Sequence, residues 1–279
     1  MALTAPVSAE PLAKGWQAEL QLGFGKIHDK TVLVKRKHFG PLTMQRPFYP
    51  EDGVCHVYIL HPPGGIVGGD QLTINLSAEE QSHALITTPA AGKFYRSSGD
   101  LATQSVSIKV ASKAILEWLP QETIIYEGAQ LKSTVHIELA FGARFIGWEI
   151  LSLGRPACAE RFEEGLADMN WRIYYQNQPF FFERLQLDAK AFLARWGLQG
   201  YSACGTLFAS PANADCLQAV QQLIGDRSGY GVTCIDELLV CRAIGGRSDR
   251  LRSFFEQVWA IVRPHTGQRK VCTPRIWAT

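Results

Sequence analysis

The sequence predicts a mainly β protein whose helices are confined to its last third, and three observations carry that reading. Short, alternating, β-branched runs broken by Gly and Pro dominate from Trp16 to about Phe182. No amphipathic helical stretch of about ten or more residues interrupts them, which argues against βαβ winding and a Rossmann sheet. Helical periodicity emerges only beyond residue 210. Strands followed by two helices suit a β-rich body with a helical buttress, a β-sandwich being one form that body can take.

The elements follow in order. Residues 1–15, rich in Ala, Pro and Ser, are expected to be a loose N-terminal segment, and residues 16–279 a single β-rich domain. Strands are predicted at 31–37, 54–60, 72–76, 83–88, 105–110 and 134–139. In 105–110 the residues Val106, Ile108 and Val110 face one way and Ser105, Ser107 and Lys109 the other. A helix is predicted near 212–224, with Leu217, Val220 and Ile224 on one face and Gly225 as its stop. Strand character returns over 231–244. A second helix is predicted near 248–263, capped by Ser248, carrying Leu251, Phe254, Phe255, Val258, Trp259 and Val262 on its apolar face, and ended by Pro264.

Composition excludes several classes. The 279 residues are 46% hydrophobic and 19% charged, enough to bury a core without disulfides or a structural metal. A net charge of +2 leaves no nucleic-acid footprint. No apolar run reaches the ~18–20 residues of a membrane span, and the N-terminus lacks a basic start followed by an apolar core. A cytoplasmic protein is expected. Seven cysteines without a C-x-x-C pair exclude a disulfide framework and a zinc knuckle, so most are expected to be buried, reduced thiols.

Catalytic motifs are absent. The loop 61–70, HPPGGIVGGD, carries two glycine pairs that permit unusual backbone angles or close approach, but no Lys follows it and a strand comes next, so it is not a phosphate-binding loop. There is no G-x-S-x-G elbow and no H-x-x-x-H pair. His56, His83 and His136 fall inside strands and are expected to be structural. His61, opening the glycine loop, could meet a cation together with Asp70. Three carboxylates, Glu117, Glu149 and Glu183, stand in apolar settings. A buried carboxylate is costly unless paired or solvated. Each therefore asks either for an arginine, with Arg96, Arg144, Arg155 and Arg184 as candidates, or for a polar interior.

Several segments together resemble the urease accessory protein D family (UreD, also called UreH): QRPFYP at 45–50, the loop 61–70, TTPAAGKFYR at 87–96, EWLPQE at 117–122, GARFIGWEILSLGRPACAERF at 142–162 and PRIWAT at 274–279. One departure is Ala159, where the family pattern leads one to expect Gly and where a buried turn would be slightly strained. The resemblance implies a right-handed β-helix-like body with two C-terminal α-helices. It also implies a non-enzymatic scaffold that binds the urease apoprotein, bridges to accessory proteins F and G, and passes Ni²⁺ through its interior. On that reading the chain has no cofactor and no stable metal site of its own, only transient Ni²⁺. Weak oxygen donors with occasional imidazole would suit such a cation in transit. Asp70, Glu149 and Glu183, with His61, are the candidates for nickel passage. The apolar run Phe180, Phe181, Phe182 and the tail residues Arg275, Ile276 and Trp277 are candidates for partner binding. The rival function is a metal-dependent hydrolase built on His61, Asp70, Glu149 and Glu183.

Overall fold

A hairpin opens the fold: β1 (Gln17–Ile27) pairs antiparallel with β2 (Lys30–Phe39), turning through His28 in the left-handed region. The computed structural model describes residues 15–278, so the loose segment expected at 1–15 lies, except for Gly15, outside the described residues. After β3 (Thr43–Met44) and β4 (Cys55–Leu60) the chain crosses repeatedly between two facing sheets. β5 (Gln71–Ala78) joins the first sheet, β6 (His83–Thr87) the second, and β7 (Gly92–Phe94) forms a short connecting strand. The cycle repeats with β8 (Ala102–Val110), β9 (Ile115–Leu119) and β10 (Thr123–Ile125), and again with β11 (Gln130–Leu139) and β12 (Arg144–Leu153).

Each turn stacks parallel on the last. β5, β8 and β11 pair in one sheet, β4, β6, β9 and β12 in the other, and β7 with β10 between them. This is a β-solenoid-like arrangement, in agreement with the helical body implied by the resemblance and unlike a sandwich of antiparallel hairpins. Alternation drives it: in β8 the residues Val106, Ile108 and Val110 are buried while Ser105 and Lys109 face water. Four glycines in the 61–70 loop divide two tasks. Gly64 and Gly69 take positive φ angles, whereas a Cβ on Gly65 would strike the Tyr95 ring and one on Gly68 would strike Ser97.

Antiparallel strands and helices finish the molecule. β13 (Leu166–Tyr175) still adds parallel to β11, and β14 (Gln178–Leu187) returns antiparallel along it as the sheet edge. A short helix not foreseen from sequence, α1 (Ala189–Leu193), is capped by the Asp188 carboxylate. β15 (Ala203–Ser210) pairs with β12; α2 (Ala214–Ile224) follows; the hairpin of β16 (Tyr230–Ile235) and β17 (Leu238–Gly245) extends the second sheet; and α3 (Ser248–Thr266) closes it. One core fills the space between the sheets, and a second lies between the outer face of the second sheet and α2 and α3.

Two helix-end expectations need correction. Ser248 is the first helical residue and Arg247 takes the cap position without a side-chain hydrogen bond. Pro264 does not end α3, because tertiary bonds hold its last turn: Thr266 Oγ1 donates to the Pro211 carbonyl, and Arg144 donates to the His265 carbonyl. Four cysteines are buried, Cys158 is exposed, Cys234 and Cys272 are half-buried, and all seven are free.

Candidate functional site

Strand register brings together side chains that are far apart in sequence. In the second sheet Glu149 of β12 lies opposite Thr206 of β15, and Thr206 lies opposite Arg242 of β17. Cross-strand partners share a face, so the three form a row looking towards the first sheet. On that sheet Trp171 of β13 lies opposite Glu183 of β14. All five line one cavity of about 520 Å³ between the sheets. Arg242 crosses it to pair with Glu183, tying β17 to β14. A second cavity, of about 460 Å³, lies on the other side of Glu149 and takes His61, Lys93, Gln104 and Gln121 into its wall. Glu149 lines both.

Glu149 is half-buried, keeps part of its surface open to the cavities, and among the described residues has no ion-pair partner. Burial pushes its carboxyl up to about 7; the nearby Trp171 indole opposes the shift and the Glu183 charge adds to it. Trp171 Nε1 is buried, and among the described residues no acceptor meets it with ordinary hydrogen-bond geometry. A carboxylate is thus held in a largely apolar wall without an ion-pair partner among the described residues, an arrangement that suits a cation able to take its oxygens as weak donors. Burial also draws the His61 imidazole below its ordinary value, with the Asp70 charge opposing. That leaves a neutral ring able to donate a lone pair near neutral pH.

The other sequence candidates fall elsewhere. Asp70 is buried but lines neither cavity: Oδ1 accepts from the Trp16 N–H at 2.7 Å and Oδ2 from the Val67 N–H at 3.0 Å. It fastens the start of β1 to the glycine loop. Glu117 faces the helices and is fully satisfied. Trp259 Nε1 donates to its Oε2 at 2.7 Å, Arg263 Nε donates to the same oxygen at 3.1 Å, and His83 Nε2 lies 2.8 Å from Oε1. Arg263 Nη1 reaches on to Glu51 at 3.0 Å, and Glu51 meets His56. Burial would raise the Glu117 carboxyl, but the His83 and Arg263 bonds and charges outweigh it and hold it at about 2. Among the described residues none of the four arginines expected to neutralise these glutamates pairs with them. Arg184 pairs with Asp168, because it is adjacent to Glu183 in β14 and points to the opposite face, and Arg155, in the turn after β12, pairs with Glu160. Among the described residues no three His, Cys, Asp or Glu side chains gather closely enough to hold a metal ion. The four residues of the hydrolase reading do not converge.

A family model described as UreD urease accessory protein matches residues 17–278, nearly the full chain. The chain belongs to the UreD urease accessory protein family. It is 43% identical over 278 residues, covering 98% of this chain and 94% of the relative, to a urease accessory protein UreD from Alkalilimnicola ehrlichii. It is likewise 43% identical over 276 residues to one from Citrobacter koseri, covering 98% and 95%. With one from Pseudomonas putida (strain GB-1) it shares 41% over 280 residues and the whole of both chains.

Several segments that carry the likeness to the UreD family surround this interior. The stretches 61–70 and 87–96 contribute to the second cavity, and 142–162 contains Glu149. The family departure at Ala159 is strained as expected, with φ at +58°, but its turn is exposed rather than buried. Of the partner candidates, Phe181 stacks on Phe208 with ring centroids 5.3 Å apart, Phe180 is half-buried, and Phe182 is 53% exposed. Trp277 docks on the body itself, between Trp148 at 5.3 Å and Trp259 at 5.4 Å, donating Nε1–H to Thr87 Oγ1 at 3.0 Å. Ile276 is half-buried and Arg275 exposed. Sequence reading missed Trp171, Thr206 and Arg242, which only register connects to Glu149 and Glu183.

Proposed function

We propose that this member of the UreD family serves urease maturation as a cytoplasmic, non-enzymatic scaffold that passes Ni²⁺ through its interior while linking accessory proteins F and G to the urease apoprotein. The observation that carries this reading is the position of Glu149, a carboxylate with no ion-pair partner among the described residues, at which two inter-sheet cavities meet. A route for a cation needs donors that bind weakly and release, and a lone carboxylate flanked by Glu183 on one side and His61 on the other offers that without a closed cage. Asp70 keeps a supporting part, fixing the loop that carries His61. Phe182 and Arg275, exposed on the body, are the remaining surface candidates for contact with F, G or the apoprotein; Phe180, Phe181, Ile276 and Trp277 would act from behind them.

The test is maturation of urease in cells carrying the variants. Glu149→Gln and Glu183→Gln should leave the chain in complex with F, G and the apoprotein, as read by tagged pull-down. The nickel content of the isolated urease should fall. Full nickel loading in both, with intact complexes, would remove the conduit. Failure of the wild-type chain to co-purify with F or G would remove the link.

A further inference from the structure

The Arg242–Glu183 pair stands apart from the other ion pairs of the structure. It joins the edge strand β14 of one sheet to β17 of the other, across the cavity wall that also carries Glu149. Its members are not sealed: the Arg242 side chain is 55% exposed and that of Glu183 20%. A guanidinium in the wall of a cation route is a local contradiction, because it repels the cargo and occupies one of the few oxygen donors. The Glu117–Arg263 pair, by contrast, is wholly buried on the helical side and touches neither cavity.

We infer that Arg242 is a built-in counter-ion that occupies Glu183 until a divalent cation replaces it, so that release of the guanidinium accompanies cation transfer. The inference rests on the reading of the two cavities as a cation route. Three features support it. The row Glu149–Thr206–Arg242 sets the guanidinium on the same face as the Glu149 carboxylate. The exposed arginine has solvent to swing into, which keeps the exchange inexpensive. With Arg242 on Glu183, the cavity presents, among the described residues, Glu149 alone without an ion-pair partner, so a cation is held weakly; with Arg242 withdrawn it presents two such carboxylates. A wall that binds loosely when closed and more firmly when opened keeps a passing ion from being trapped.

Ni²⁺ binding to the purified full-length chain, measured by equilibrium dialysis with the metal alone, tests this. Arg242→Gln should bind Ni²⁺ about fivefold tighter or more than wild type, the size of effect a half-exposed ion pair can exert. Arg242→Met, which keeps the aliphatic stem against the wall, should do the same, and Arg242→Lys should stay near wild type. The double variant Arg242→Gln/Glu183→Gln should lose the gain. In maturing cells Arg242→Gln should also lower urease nickel content, because the cation is retained. Unchanged affinity in both neutral variants would overturn the inference, as would a gain that survives removal of Glu183. Failure of the route itself is read separately, by full nickel loading with Glu149→Gln.

Discussion

Glu117 and Glu149 sit on neighbouring strands of one sheet and meet opposite fates. In the register of β9 with β12, Glu117 lies beside Ile146, three residues before Glu149. An odd offset turns the two carboxylates to opposite faces. The face towards α3 supplies Trp259, Arg263 and His83, and every oxygen of Glu117 is occupied. The face towards the first sheet supplies open space, the Trp171 indole and a second carboxylate. Burial pushes both groups in the same direction, and only partners separate them, to about 2 and about 7. Glu117 is held by partners on all sides, whereas Glu149 faces the cavities without an ion-pair partner among the described residues.

The sharpest way to break this comparison is Glu117→Gln. It strands the buried Arg263 beside Glu51 alone, and the expected loss is about 3–5 kcal/mol in denaturant unfolding at neutral pH. A variant as stable as wild type would deny the pairing its structural weight. The pH dependence has a defined sign. A carboxylate held below its ordinary value lends stability that is fully present above that value and is lost as pH falls towards about 2. Acid unfolding of the wild type should therefore steepen in that window, and the variant should not show this component.

Glu149→Gln should do the opposite. A carboxyl raised to about 7 costs stability as pH rises from its ordinary value through 7, because the unfolded chain releases its proton first. Discounted for its contact with the cavities, the cost amounts to about 1–3 kcal/mol above neutrality. The variant should be more stable than wild type at pH 8 and equal to it near pH 4, and a destabilised variant at pH 8 would mean that Glu149 has a partner. Trp277→Ala probes the satisfied face from outside. The half-buried ring closes over Trp148 and Trp259, and its loss should cost about 1–2 kcal/mol in the same unfolding assay. The smallest effect is a control remote from both carboxylates. Ala159→Gly relieves a left-handed alanine and should stabilise by about 0.5–1 kcal/mol, without changing either pH response.

The fold was legible wherever period and punctuation agree. β8 and the two long helices follow from alternation and from the Leu251-to-Val262 stripe, and Gly225 stops α2. The parallel stacking of turns is not written in any strand, since a strand's alternation is blind to which neighbour it will meet. That came from the family resemblance. The buried carboxylates were conspicuous by their surroundings, but their partners were not. Arg263 gave one signal, a charge on the apolar stripe of α3 four residues after Trp259, which asks for a buried anion. Arg242 gave none: it is a polar residue in an alternating strand, and only the register with Thr206 and Glu149 carries it to the cavity. Asp70 misled for a physical reason. A glycine loop that lets a ligand approach also lets a backbone approach, and here the Trp16 and Val67 amides take the carboxylate.

The most direct measurement follows nickel and stability together in chains carrying Glu149→Gln or Glu117→Gln. Each is co-expressed with the urease apoprotein and accessory proteins F and G, and metal content is determined on the isolated urease. Glu149→Gln should give a chain at least as stable as wild type, an intact complex and a nickel-poor urease, whereas Glu117→Gln should lower nickel only in proportion to the folded chain that remains. A fully loaded urease from the stable Glu149→Gln chain would contradict the account.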